Sequence, residues 1–194
     1  MSELSGNPGR RRRADAERSR AAIIDAAIAL LGGRADASME EIAAAAGVAR
    51  QTVYAHYASR DALIGAIVDR ITAETVAALN SIPLDGPATK ALTEWLTVSW
   101  DVIGRYRMLL TVPIRDGDAA DEHERHLPIT ERLAEIVRRG RETGEFAAGR
   151  PAGWLVAATI SLGHTAGQEV AAGRMTPEQA GAAYRESVLR IAVS

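Results

Sequence analysis

Between Ser38 and Leu63 the chain reads SMEEIAAAAGVARQTVYAHYASRDAL, two short amphipathic runs that meet at a single glycine. Ser38 followed by Glu41 is a capping box: the serine oxygen takes an orphan backbone N–H and the glutamate reaches back to the cap. Met39, Ile42, Ala43 and Ala46 then recur on one face at helical spacing. Gly47 stands where a helix ends in a left-handed residue, a conformation that only glycine adopts cheaply. Val48 plugs the corner, and a second helix from about Arg50 to Tyr57 turns Val53 and Tyr57 inward. Arg50, Gln51, Thr52, Tyr54 and His56 are left on the outside. A Gly-centred turn with a polar-aromatic outer face is how a chain offers a helix to the DNA major groove.

The flanks complete a small head. Ile23, Ile24, Ala27, Ile28 and Leu31 mark an amphipathic helix from about Ala16 to Gly33. Ser59 caps a further helix, to about Leu79, with Leu63, Ile64, Ile67, Val68 and Ile71 on a continuous apolar face. Three helices plus a longer fourth, with Glu41-Ile42-Ala43, Ala46-Gly47-Val48, Thr52-Val53-Tyr54, His56-Tyr57 and Ser59-Arg60-Asp61-Ala62-Leu63 in this order, resemble the N-terminal domain of the TetR (tetracycline-repressor-like) transcriptional regulators. The resemblance spans about the first third of the chain. Two positions depart from it. Ala49 sits where such regulators usually carry a serine that caps the recognition helix, and Tyr57 replaces a phenylalanine, which adds a hydroxyl that needs a partner or solvent. The resemblance implies that Tyr54, His56 and Arg60 clamp phosphates, beside base readers at Arg50, Gln51 and Thr52 in the first turn of the helix. Ser38 and Tyr57 complete the expected DNA-binding set.

With 194 residues the chain can bury a real core in a head plus a larger body, and the alanine-heavy sequence with few strand signals reads as all-α. Formal net charge is only −2, so DNA affinity has to come from local charge. Arg10 to Arg13 form a basic cluster with two readings, a solvated disordered arm over residues 1–15 or an arm that meets phosphates or the minor groove. The cluster lacks a following apolar run, so it is not a secretion signal, and no apolar segment is long enough to span a bilayer; a cytoplasmic protein is expected. The absence of cysteine excludes disulfides and thiolate chemistry. His123-Glu124-Arg125-His126 is one residue short of the H-E-x-x-H zinc pattern, and an exposed charged segment explains it better than a metal site. No Gly-x-Ser-x-Gly elbow and no Gly-rich phosphate loop is present, so neither an enzyme nor a cofactor is expected.

The head is expected over residues 16–80 and the body over 81–194, parted by the breaker Pro83, Asp85, Gly86 and Pro87. In the body, Leu92, Trp95, Leu96, Ser99 and Ile103 line one helix face, flanked by Trp100 and Tyr106. Asp116-Gly117-Asp118 reads as a loop beyond Pro113. A helix from about Ala119 to Arg141 follows, with a break expected at Leu127-Pro128 and Leu133, Ile136 and Val137 on its apolar face. Ala152 to Ala172 is almost uncharged and should be buried, and Thr176-Pro177-Glu178-Gln179 opens a last helix with Ala180, Ala183, Tyr184, Ser187, Val188 and Ile191 on one face.

The resemblance implies that these last two helices pack against a twin, which nominates Trp154, Ala157, Ser161, Thr165, Tyr184, Val188 and Ile191 for a dimer interface. A regulator of this type also needs an effector cavity, for which Trp95, Trp100, Tyr106, His126, Trp154 and His164 are the candidates. For the aromatic ones the competing reading is ordinary core. The expectation is a homodimeric repressor released from a pseudo-palindromic operator by an apolar or aromatic ligand. A ligand-independent activator or architectural DNA binder stands as the alternative, and a ligand-sized cavity would separate the two. In the repressor reading the fourth helix, unbroken from head to body, is the lever.

Overall fold

The computed structural model describes the backbone of residues 8–106 and 119–193 and the side chains of residues 9–106 and 127–193. Among the described residues there are eight α-helices and no strand. They are α1 (Pro8–Gly33), α2 (Met39–Ala45), α3 (Arg50–His56), α4 (Arg60–Asn80), α5 (Ala88–Arg105), α6 (Ala119–Glu142), α7 (Ala152–Ala171) and α8 (Pro177–Val193). The Asp116-Gly117-Asp118 loop and Pro113 lie outside the described residues.

The first helix corrects the expectation of a disordered arm over residues 8–15, whereas residues 1–7 of that arm lie outside the described residues. It begins at Pro8, and Arg10 to Arg13 sit exposed within its first turns. Arginine, alanine and glutamate are all strong helix formers, proline is favoured at the first helical position, and Asp15 pairs with Arg18 one turn on. Local propensity therefore carries the helix through a segment that its charge made look like a tail.

The chain divides into two compact units, and the division falls inside α4, between Val68 and Asp69, rather than at the Pro83–Pro87 breaker. Leu63, Ile64, Ile67 and Val68 before that division and Ile71, Thr75 and Leu79 after it are all buried, so α4 keeps one buried face along its length. In the first unit α1, α2 and α3 pack on one another, and Ile23, Ala27, Leu31, Ile42, Val53, Leu63 and Ile67 are almost wholly buried.

In the second unit α7 packs along α8, α5 lies against α6 and α8, and α6 meets α7. Leu92, Trp95, Leu96, Leu133, Ile136, Val137, Tyr184 and Val188 belong to one core. The break expected at Pro128 is absent: α6 runs through it. A proline costs a helix one backbone donor and a clash with the preceding turn, and the packing of Leu133, Ile136 and Val137 just beyond offsets that cost.

Long-range polar contacts tie the body's turns to its helices. Pro87 provides no side-chain cap for α5. Glu145, in the turn after α6, supplies one instead: its carboxylate accepts from the Ala88 and Thr89 backbone N–H groups at 2.9 and 3.0 Å and from the Thr89 hydroxyl at 3.0 Å. Those donors, that of Thr89 first, hold the Glu145 carboxyl down at about 2. Arg132 and Arg139 on α6 donate to the Ile82 and Gly86 carbonyls at 2.7 and 3.1 Å, which fastens the α4–α5 connection to α6.

Three aromatic rings seat directly on glycines. A Cβ added at Gly140 would overlap the Phe146 ring, one at Gly181 would lie 2.5 Å from the Trp100 indole nitrogen, and one at Gly163 3.3 Å from Tyr184. Among the described residues, Gly65 in α4 has nothing within 4 Å of such an atom. Gly140→Ala should therefore destabilise the protein by about 1–3 kcal/mol through overpacking, whereas Gly65→Ala should stabilise it by up to about 1 kcal/mol through helix propensity. Urea denaturation of both variants checks the pair; equal stability for the two would show that Phe146 moves aside without cost.

Candidate nucleic-acid interface

The turn between α2 and α3 forms as its sequence requires. Ser38 caps α2: its oxygen accepts from the Glu41 backbone N–H at 3.2 Å, and Glu41 accepts from the Ser38 backbone N–H at 2.7 Å. That backbone donor, together with the side chain of Arg34, holds the Glu41 carboxyl down at about 2. Gly47 adopts φ +67°, and the Val48 N–H then closes back on the Ala43 carbonyl at 3.1 Å. α3 leaves this corner with Val53 fully buried beneath it.

On the outer face of α3, Arg50, Gln51 and Tyr54 are exposed and Thr52 and His56 half-buried, so five of the expected DNA-binding residues share one surface. Arg50 is already engaged there: its Nη1 lies 2.6 Å from the Glu40 carboxylate of α2, and its guanidinium stands 5.3 Å from the centre of the Tyr54 ring.

The other three make contacts within the head. The Ser38 hydroxyl serves the α2 cap and also donates to Glu41 at 3.0 Å. Tyr57 is only 4 % exposed, so its ring belongs to the head's core and not to a DNA-facing surface. Its hydroxyl finds the partner it needs in Arg20 of α1, whose Nε donates to it at 3.3 Å. Arg60 donates from Nη2 to the Ala35 carbonyl, which ties the start of α4 to the α1–α2 loop. Sequence reasoning missed Glu40, Arg34 and Arg20. Each acts across a turn or between helices, where periodicity within one helix carries no signal.

The residues proposed for an effector site separate into groups. Trp95 is 2 % exposed, and among the described residues its indole Nε1 has no hydrogen-bond partner; neither has the buried Ser99 hydroxyl one turn further along α5. Trp100 stands against Gly181 with its ring 6.1 Å from that of Tyr184. Tyr106 is buried and donates its hydroxyl to Glu74, and burial first, then that hydrogen bond, pushes the phenol up. Trp154 and His164 are on the exposed side of α7 instead, Trp154 48 % exposed beneath the Arg150 guanidinium at 5.7 Å. The side chain of His126 lies outside the described residues. A groove of about 300 Å³, lined by Ser81, Ile82, Pro83, Thr93, Glu94, Thr97 and Val98, includes none of the proposed residues.

The proposed interface divides in the same way. Trp154, Ala157, Ser161 and Thr165 form one exposed face of α7, which is therefore not buried all round within one chain. Tyr184 and Val188 turn inward into the subunit's own core, which makes them unavailable to a second copy, and Ile191 is half-buried. Among the described residues no group of histidine and acidic side chains could hold a metal ion, and no helix is long and apolar enough to cross a membrane.

Residues 23–67 match the family of bacterial regulatory proteins named tetR. The HTH-type transcriptional repressor LfrR of Mycolicibacterium smegmatis is 40% identical over 77 residues, a stretch that spans 39% of this chain and 41% of that protein. The crystal structure of LfrR in complex with proflavine aligns with a TM-score of 0.67 at 28% identity, over 91% of this chain and 98% of that one. The regulator FadR of Bacillus subtilis, solved with stearoyl-CoA, shares the fold at a TM-score of 0.73 and 17% identity, over 90% of this chain and 97% of that one.

One local defect in the site is open to repair. Ala49 holds the extended backbone of an N-cap, φ −67° and ψ 147°, yet offers α3 no side-chain cap. Ala49→Ser should place a hydroxyl within reach of the second or third amide of α3 and raise stability by about 0.5–2 kcal/mol. Thermal denaturation checks this, and an unchanged midpoint would mean that packing alone orders the helix.

Proposed function

The chain is a regulator of the tetR family, and we propose that it is a homodimeric repressor, released from a pseudo-palindromic DNA operator by a small apolar or aromatic ligand. The observation that carries this reading is the exposed row Arg50, Gln51 and Tyr54 on a short helix held outward by the positive-φ turn at Gly47. Arginine pairs in bidentate fashion with guanine and glutamine with adenine, so this row has the donors and acceptors that major-groove recognition needs. Tyr54 and His56 take the phosphate-positioning role.

Two further observations support the rest. The uncovered face of α7, with Trp154, Ala157, Ser161 and Thr165, is apolar or small and suits close approach by the same helix of a second copy. In the body, the Trp95 and Ser99 donors, which lack a partner among the described residues, would be satisfied by a ligand that carries a hydrogen-bond acceptor on an otherwise apolar frame. Ligand occupancy then reaches the head through α4, which starts in one unit and ends in the other. The protein acts in the cytoplasm and catalyses no reaction.

The experiment is selection of duplexes from a random-sequence library with the purified full chain, then affinity measurements on single-base variants of the recovered site. Arg50→Ala or Gln51→Ala should each lose about 1–3 kcal/mol of discrimination at one base pair of a half-site. Equal losses on selected and shuffled duplexes for both variants would refute the base-reading role.

A further inference from the structure

The contact between Glu40 and Arg50 has no part in the fold that its strength would explain. Both side chains are about half exposed or more, at 49% and 62%, and an ion pair so placed adds little to stability. The relation of α2 to α3 is already set by the Gly47 turn and the buried Ile42 and Val53. Glu40 also lies outside the Ser38–Glu41 cap. What the pair does change is the freedom of Arg50. With Nη1 at 2.6 Å from the carboxylate and the guanidinium stacked over Tyr54, the longest basic side chain of the recognition helix is confined to the space above its first turn.

An unconfined arginine on a DNA-facing helix takes whichever phosphate is nearest. Such contacts raise affinity for every sequence alike. A carboxylate in the same place repels phosphate oxygens and competes with them for the guanidinium. A guanine edge is affected differently, since it is uncharged and offers two acceptors in fixed geometry. Resting on the reading of α3 as the DNA reader, we propose that Glu40 is a specificity-determining positioning residue: by its ion pair it withholds Arg50 from the phosphate backbone and reserves it for a base.

Glu40→Gln removes the charge while keeping the shape, at an exposed position where the fold does not depend on it. The probes are the duplex recovered by selection and a shuffled duplex of the same composition, each titrated across a range of salt concentrations. Affinity for the shuffled duplex should rise roughly two- to fivefold more than affinity for the selected one. Its log K against log salt slope should steepen by about 0.9, the signature of one added phosphate contact. In an Arg50→Ala background the same substitution should leave the ratio of the two affinities unmoved, because the residue acts through Arg50. An unchanged ratio for Glu40→Gln alone, or an equal fall in the Arg50→Ala background, would overturn the proposal. Wild-type protein that does not distinguish the two duplexes would instead overturn the reading of the head, and the role of Glu40 with it.

Discussion

Gly47 holds the backbone at φ +67°, and the geometry of the head follows from that one residue. A residue with a Cβ meets a steric penalty there, so glycine lets the chain end α2, turn sharply and start α3 within four residues. Both helices have only seven residues, too few to persist alone in water. Their order has to come from the core beneath, where Ile42 and Val53 are fully buried and α1 packs against both. The polar face of α3 is thus placed by its apolar face. Tyr57 shows the same logic at the helix end: its ring is core, and Arg20 of α1 accounts for the hydroxyl that a phenylalanine would not have carried.

The body solves a different problem with small residues. Its helices are rich in alanine and glycine, which bury little area each, so a few large rings must fill the space between them. Phe146, Trp100 and Tyr184 do so by lying on Gly140, Gly181 and Gly163, positions where even one methyl group would be tight. Polar closure comes from a distance: Glu145 caps a helix that starts 57 residues earlier in the chain, and the α6 arginines hold the carbonyls of the loop before it. Among the described residues the Trp95 indole nitrogen and the Ser99 hydroxyl are buried without a hydrogen-bond partner, as are Nε of Arg132 and Nη1 of Arg139.

Most of the helices, and the head's turn in particular, were legible in the sequence because the signals are local. The capping box, the glycine, the 3.6-residue spacing and the breakers each act within one or two turns. Readings that needed a partner from elsewhere fared less well. Arg60 and Tyr57 were read from their own helices alone, where nothing signals the hydrogen bonds that they make with Ala35 and Arg20. On α8 the apolar stripe was evident, but nothing in it told that Tyr184 and Val188 face their own core, whereas on α7 Trp154 faces outward. A helix that is apolar or small all round gives no contrast from which to choose a side. The basic run at Arg10–Arg13 misled for the opposite reason: charge suggested a solvated tail, while intrinsic propensity favoured the helix that forms.

The central claim is that two copies of the α3 face read one DNA site. Hydroxyl-radical footprinting of the full chain on its selected duplex tests it most directly. Two protected phosphate patches related by a dyad, with centres one helical turn or a whole multiple of about 34–36 Å apart, are the predicted result. A single patch without its symmetry mate, or uniform protection along the duplex, would contradict it.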